Sequence, residues 1–295
     1  MPRTKFHVKV VAFLAVLFLS GLALAIPVNP VVVPDTGNNR VLIYNSPTVN
    51  DSPADVALGQ TDLVSGVSGT SSTNLSAPTA YTFDSSGSLY VSDSGNCRVL
   101  MFAPPFATGE AAALVLGQPD FNTGCGGAAS ASTLGSTGGV AFGTHENFWV
   151  ADSQNNRILK FLPPFKNGMN AKLVVGQADF VSNACPEPPT AASLCSPTGI
   201  AFDSGGILWV SDTSNNRVLA YRLALSLSAE KEFGHPAATA FTSNTINDGG
   251  VSATSLYGPT SIGIDSSQRV WVADTQNSRV RTYLQSVYQQ ERQPR

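Results

Sequence analysis

Charge is scarce in this sequence. Only 13% of its 295 residues are Asp, Glu, Lys or Arg, and 17 basic residues face 20 acidic ones for a formal net charge of -3. That leaves no basic surplus to neutralise a phosphate backbone, which argues against nucleic acid as a partner. Of three histidines, His7 lies in the N-terminal segment, leaving His145 and His235, so a three-His zinc site cannot be built. The four cysteines show no C-x-x-C spacing, and G-x-x-x-x-G-K-[ST], H-E-x-x-H and G-x-S-x-G are all missing. Beyond residue 25 no apolar run is long enough to cross a membrane. What is plentiful is turn chemistry: 26 Gly and 19 Pro, interspersed with Ser and Thr along the whole length. Many short strands joined by many turns, an all-β chain, account for that composition better than disorder does.

The first 25 residues read as a secretory signal. Arg3, Lys5 and Lys9 form a positive start, Val10 to Leu24 is apolar, and Ala23-Leu24-Ala25 presents small residues at a cleavage position before Ile26. Cleavage would take the formal charge from -3 to -6 and leave a chain with no other membrane span, secreted to an extracellular or periplasmic space.

A repeat governs the rest. D-x-x-N-x-R occurs at Asp35 to Arg40, Asp93 to Arg98, Asp152 to Arg157, Asp212 to Arg217 and Asp274 to Arg279, with successive aspartates 58, 59, 60 and 62 residues apart. Each Arg is followed at once by Val or Ile and four residues on by an aromatic: Tyr44, Phe102, Phe161, Tyr221 and Tyr283. Tyr90, Trp149, Trp209 and Trp271 precede the Asp by three, so every Trp of the chain occupies one repeat position. Upstream lie short apolar runs such as Pro197 to Asp203, and downstream Val56 to Gln60, Leu114 to Gln118, Leu173 to Gln177 and the weaker Glu232 to His235. One unit is therefore four strands, a to d.

A four-stranded antiparallel unit with two apolar faces cannot bury both alone, whereas units packed face to face around an axis bury them all. The expected fold is a single β-propeller over residues 26 to 288, most simply of five blades, with a flexible tail at 289 to 295. Copy one lacks strand a and copy five lacks strand d, so closure would fall to Ile26 to Pro30 or to the tail after Gln285.

The strings P-T-G-I-A-F-D, L-W-V-S-D and N-N-R-V, in that order, resemble NHL repeats, and the resemblance covers about residues 31 to 285. It implies the propeller fold but no single function, because that family holds RNA-binding and protein-binding modules and related propellers include lyases and lactonases. Copy three departs from it, with Gly143-Thr144-His145-Glu146 where others carry Asp and a turn.

In such blades the b-to-c turns share a face with the long connections Thr61 to Ala77, Pro119 to Ser136, Ala178 to Ser196 and Pro236 to Gly258. Cys97, Cys125, Cys185 and Cys195 all fall on that face. An even count in an exported chain favours disulfides over a metal site. Of three possible pairings, proximity favours Cys185 with Cys195 and leaves Cys97 with Cys125. Asp84, Asp203 and Asp265 read as turn caps. Gln60, Gln118 and Gln177 read as loop fasteners, with Asp62, Asp120 and Asp179 two residues beyond them. The repeated pairs Asp35/Arg40, Asp93/Arg98, Asp152/Arg157, Asp212/Arg217 and Asp274/Arg279 read as architecture, with a ring of arginines gathering an anion as the alternative. No catalytic, cofactor or metal residue is assigned. The expected activity is non-enzymatic binding of a protein or glycan. The alternative is a lyase or lactonase-type propeller enzyme using a divalent metal.

Overall fold

The computed structural model describes residues 30–283. Residues 1–29, which include the stretch read above as a secretory signal, and the tail beyond Tyr283 lie outside the described residues, and with them, Pro30 apart, both segments considered for closing the ring.

Five antiparallel sheets follow one another along the chain. Blade one is β1 (Val31–Asp35), β2 (Arg40–Tyr44) and β3 (Val56–Leu58). Blade two is β4 (Pro78–Phe83), β5 (Leu89–Asp93), β6 (Arg98–Phe102) and β7 (Leu114–Leu116). Blade three is β8 (Thr137–Phe142), β9 (Phe148–Asp152), β10 (Arg157–Phe161) and β11 (Leu173–Val175). Blade four is β12 (Pro197–Phe202), β13 (Leu208–Asp212), β14 (Arg217–Tyr221) and β15 (Lys231–Phe233). Blade five is β16 (Pro259–Ile264), β17 (Val270–Asp274) and β18 (Arg279–Tyr283). This is the expected five-blade all-β propeller, with strand a absent from blade one and strand d from blade five among the described residues.

The b-to-c turn shows why the motif reads as it does. Strand b ends at the Asp, three residues form a 3-10 turn, and the next residue takes a left-handed conformation before the Arg opens strand c. That left-handed residue is Asn39, Cys97, Asn156, Asn216 or Ser278, at φ between 52 and 55°. Asn tolerates this region better than most residues, which explains its majority there. Strand d ends on a Gly for two reasons. Gly59, Gly117 and Gly176 have φ of +86, +87 and +93°, and a Cβ on them would lie within 2.6, 2.2 and 2.6 Å of Leu75, Leu134 and Leu194. Those leucines are buried, so the glycine is the seat that the returning segment is anchored on.

The first strands β4, β8, β12 and β16 stand side by side around the axis, each with an irregular register at its start. Their approach is close: a Cβ on Gly138 would meet the Thr198 carbonyl oxygen at 2.5 Å, and one on Gly199 the Thr260 carbonyl oxygen at 2.7 Å. Thr198 Oγ1 donates across the same gap to the Thr260 carbonyl at 2.8 Å. Gly199→Ala is therefore expected to push β12 and β16 apart at a cost of about 1 to 3 kcal/mol. Urea unfolding of the variant checks this, and Gly37→Ala, where nothing lies within 4 Å, is the control.

Aromatics fill the wedges between blades. Tyr90 packs on Phe142 and Phe148 of blade three, with ring centroids 5.0 Å apart in each case. Trp149 meets Phe202 of blade four at 5.5 Å, and Phe233 meets Tyr283 of blade five at 4.5 Å. Burial of each ring contributes roughly 1.5 to 3 kcal/mol.

Candidate functional face

The five arginines do not converge on the axis. Each Nε donates to its own blade's Asp across the b–c pair, at 2.7 Å for Arg40, Arg98, Arg157 and Arg217 and 2.6 Å for Arg279. In blade three, Arg157 Nη2 donates to the carbonyls of Ser130 and Thr133 in the preceding long segment, and Nη1 to the carbonyl of Phe180 in the following one. Arg98 repeats the pattern with Ser71, Asn74 and Phe121. One guanidinium thus ties two successive loops to one blade. The pairs in blades two, three and four are wholly buried. Burial lifts the carboxyls of Asp93, Asp152 and Asp212 above their ordinary value, while the guanidinium and Asn partners pull against it. In Arg98, Arg157 and Arg217 four of the five guanidinium N–H groups are directed at protein acceptors and the side chain is fully buried, which leaves it unable to reach a free anion on the surface.

The left-handed residue beside each Arg fastens the same loops from the other side. Asn39, Asn156 and Asn216 donate through Nδ2 to the carbonyls of Gly66, Asn183 and Asn244. Their Oδ1 atoms accept from the backbone N–H of Ala77, Ser196 and Gly258 at the entrance to the next blade. In blade two Cys97 holds this position and is bonded to Cys125, 28 residues on, with Cα atoms 5.0 Å apart. The Cys97–Cys125 bridge therefore stands in for the Asn-to-carbonyl bond of its sister blades. The second bridge, Cys185–Cys195, lies within the third segment. Gln60 and Gln177 donate to the Asn39 and Asn156 carbonyls and to Val67 and Ala184. Gln118 donates to the Cys97 carbonyl.

Blade four alters this scheme. His235 takes the Gln position, with Nε2 3.2 Å from the Thr245 carbonyl and Nδ1 2.5 Å from Glu232 Oε1. Glu232 Oε2 lies 3.2 Å from Arg217 Nη1 and accepts from the Phe241 N–H. Glu232, His235 and Arg217 have fully buried side chains, so the fourth segment is held by an ionic network instead of an amide. The role of Glu232 escaped sequence reasoning, although an acid at a strand-d position that is apolar in blades one to three (Ala57, Val115, Val174) was a visible signal.

On the opposite face Asp84, Asp203 and Asp265 cap their a-to-b turns through backbone N–H groups. Asp203 and Asp265 also accept from the indole N–H of Trp209 and Trp271, at 3.1 and 2.9 Å. Copy three has Gly143 here, and its Glu146, beside His145, instead caps Ser85 of blade two at 3.3 Å. The Trp271 indole and the Arg269 N–H push the Asp265 carboxyl down to about 2. A depressed carboxyl stabilises the fold above its unfolded value of about 3.9 and loses that contribution as pH falls through about 2. NMR titration is expected to show Asp265 and the Trp271 indole moving together near that lower pH, with Trp271→Phe shifting the midpoint upward.

The inner strands PTAYTF, TGGVAF, PTGIAF and PTSIGI bring no ionisable side chain other than Tyr81 to the axis. Among the described residues no group of three or more His, Cys, Asp or Glu could hold a metal ion, and no helix is long and apolar enough to cross a membrane.

The repeat that builds this face has a family. Residues 194–221, the entry and first three strands of blade four, match the NHL repeat, and the D-x-x-N-x-R motif within that stretch recurs in the other four blades of the β-propeller. No curated protein sequence matches it significantly. Among solved structures it is similar to a structural genomics protein of unknown function from Bacteroides thetaiotaomicron, with 16% identity, a TM-score of 0.50 and coverage of 86% of this chain and 58% of that one. It is also similar to virginiamycin B lyase from Staphylococcus aureus, at 15% identity and TM-score 0.48 over 86% and 66%. An auxiliary nutrient binding protein from Bacteroides thetaiotaomicron matches at 14% identity and TM-score 0.49 over 85% and 57%. This chain spans less than two thirds of each, and at these identities the likeness is one of fold.

Proposed function

We propose that the chain is an exported, non-enzymatic binding scaffold whose working surface is the face of the four long segments, and whose ligand is a protein or glycan. One observation carries the reading. The repeated polar groups that chemistry would need are turned inward as loop fasteners, while other loop side chains, among them Asp62, Val64, Asp120, Asp179 and Val181, are exposed. Rigid blades holding long loops are the usual construction of a binding surface. The apolar start of the chain and the two disulfides support export to an oxidising compartment.

The third segment cannot simply be excised to test this. Leu194 is core, and the Ser193 carbonyl accepts from Arg217. Hydrogen exchange on the mature protein, with and without a ligand drawn from glycan and protein arrays, is the direct measurement. Protection is expected in residues 61–77, 119–136, 178–196 and 236–258. Protection confined to the a-to-b and c-to-d turns, or a stoichiometric divalent metal accompanied by turnover, overturns the proposal.

A further inference from the structure

The four long segments differ from the rest of the surface in the sign of their charge. They contain Asp62, Asp120, Asp179, Glu187 and Asp248 and no Lys or Arg. The motif arginines beneath them are matched one to one by their own aspartates, and Arg281 of β18, which lies over the Tyr283 ring, donates to the Ser252 carbonyl at the edge of the fourth segment. The other face mixes signs, with Lys166, Lys172 and Arg269 among Asp84, Glu110 and Glu146. Asp62, Asp120 and Asp179 occupy one repeat position and are exposed. Backbone N–H groups directly ahead, led by those of Ser65, Asn122 and Ser182, hold their carboxyls below the ordinary value, so all three stay ionised across the physiological range.

Beside these acids stand aliphatic side chains in water. Val64 and Val181 share a repeat position two residues beyond Asp62 and Asp179 and are 89% and 68% exposed. Val67, Ile246 and Val251 on the same segments are 72%, 50% and 68% exposed. Single exposed aliphatics are ordinary. Here rotation about the propeller axis places the equivalent pair at one height, next to charge of one sign. The aromatics of these segments, Phe121, Phe180 and Phe241, are partly buried against the core and Tyr257 is half-buried, so the large apolar side chains most open to water on this face are aliphatic.

Resting on the loop-face reading above, we propose that the partner is a protein surface of positive charge carrying aliphatic side chains, docked over the first, third and fourth segments. Aliphatic contact supplies the affinity, and the uniform negative sign supplies steering and rejects acidic surfaces. A neutral glycan would satisfy neither feature.

The test uses defined probes on the mature protein: a short peptide of alternating lysine and valine, the glutamate–valine and lysine–serine counterparts, and a neutral β-glucan oligosaccharide. Titration calorimetry is expected to show the lysine–valine peptide binding at least about tenfold more tightly than the other three, and weakening as salt rises because exposed charges are screened. Val64→Ser with Val181→Ser is expected to reduce that affinity about tenfold at unchanged melting temperature. Absence of binding, equal binding of the glutamate–valine peptide, or indifference to the double substitution overturns the proposal. Oligosaccharide binding that protects the long segments from hydrogen exchange overturns it while leaving the loop face as the working surface. Binding that protects only the opposite turns overturns both.

Discussion

Arg157→Ala is expected to cost about 3 to 5 kcal/mol of folding stability, the range seen when one partner of a buried ion pair is removed. The loss is larger than that of a salt bridge alone. Asp152 is left fully buried with its charge supported only by Asn155 and the Gly135 N–H. The carbonyls of Ser130, Thr133 and Phe180 lose their donor at the same time. Arg40→Ala provides the internal comparison, because Arg40 and Asp35 keep 14% and 24% of their side-chain exposure and Nη1 meets only the Leu63 carbonyl. Water screens that pair, so about 1 kcal/mol or less is expected. Urea denaturation of both variants decides the matter, and equal losses would show that the motif does not act by tying loops.

The contrast between Arg40 and Arg157 also marks how far the sequence could be read. The spacing of D-x-x-N-x-R located every b-to-c turn, and with it the blade number and the identity of the loop face, because a turn of fixed geometry leaves a fixed residue signature. Burial is a property of neighbours, so five identical motifs could not reveal that the pair in blade one is partly open while those in blades two to four are sealed. The same limit hid the cross-blade partners of Asn39, Asn156 and Asn216, which lie 38 to 42 residues ahead in the chain. It hid the substitution of an ionic network for an amide at His235, where Glu232 becomes meaningful only once strand d is seen to lay it against Arg217. The outward-facing valines were equally illegible, since in a chain 42% apolar by broad count an exposed Val cannot be told from a buried one by its letter.

Removing the Cys97–Cys125 bridge by Cys97→Ser with Cys125→Ser is expected to cost about 3 to 4 kcal/mol, the loop-closure value for a loop of this size. Replacing the pair by Cys97→Asn with Cys125→Ser is expected to recover about 1 kcal/mol of that, the net worth of a typical hydrogen bond. The reason is positional. Cys97 sits at φ 55°, where three of the other four blades carry Asn. Cys125 lies 28 residues ahead of it, while the Asn-to-carbonyl bonds of the sister blades span 27 or 28. The Asn amide would meet a segment already shaped to receive it. Its carbonyl oxygen would face the Ser136 N–H, which now donates to Gln154 Oε1 at 3.2 Å, just as Asn39 accepts from Ala77 in the preceding blade. Asn also tolerates left-handed backbone better than Ser, which adds to the difference in the same direction. Urea unfolding under oxidising conditions gives the ranking, and hydrogen exchange over residues 119–136 shows whether the second segment is refastened. If the Asn variant is no more stable than the Ser variant and exchanges as fast, the bridge is an isolated crosslink and not the covalent form of the fastener that its sister blades build from hydrogen bonds.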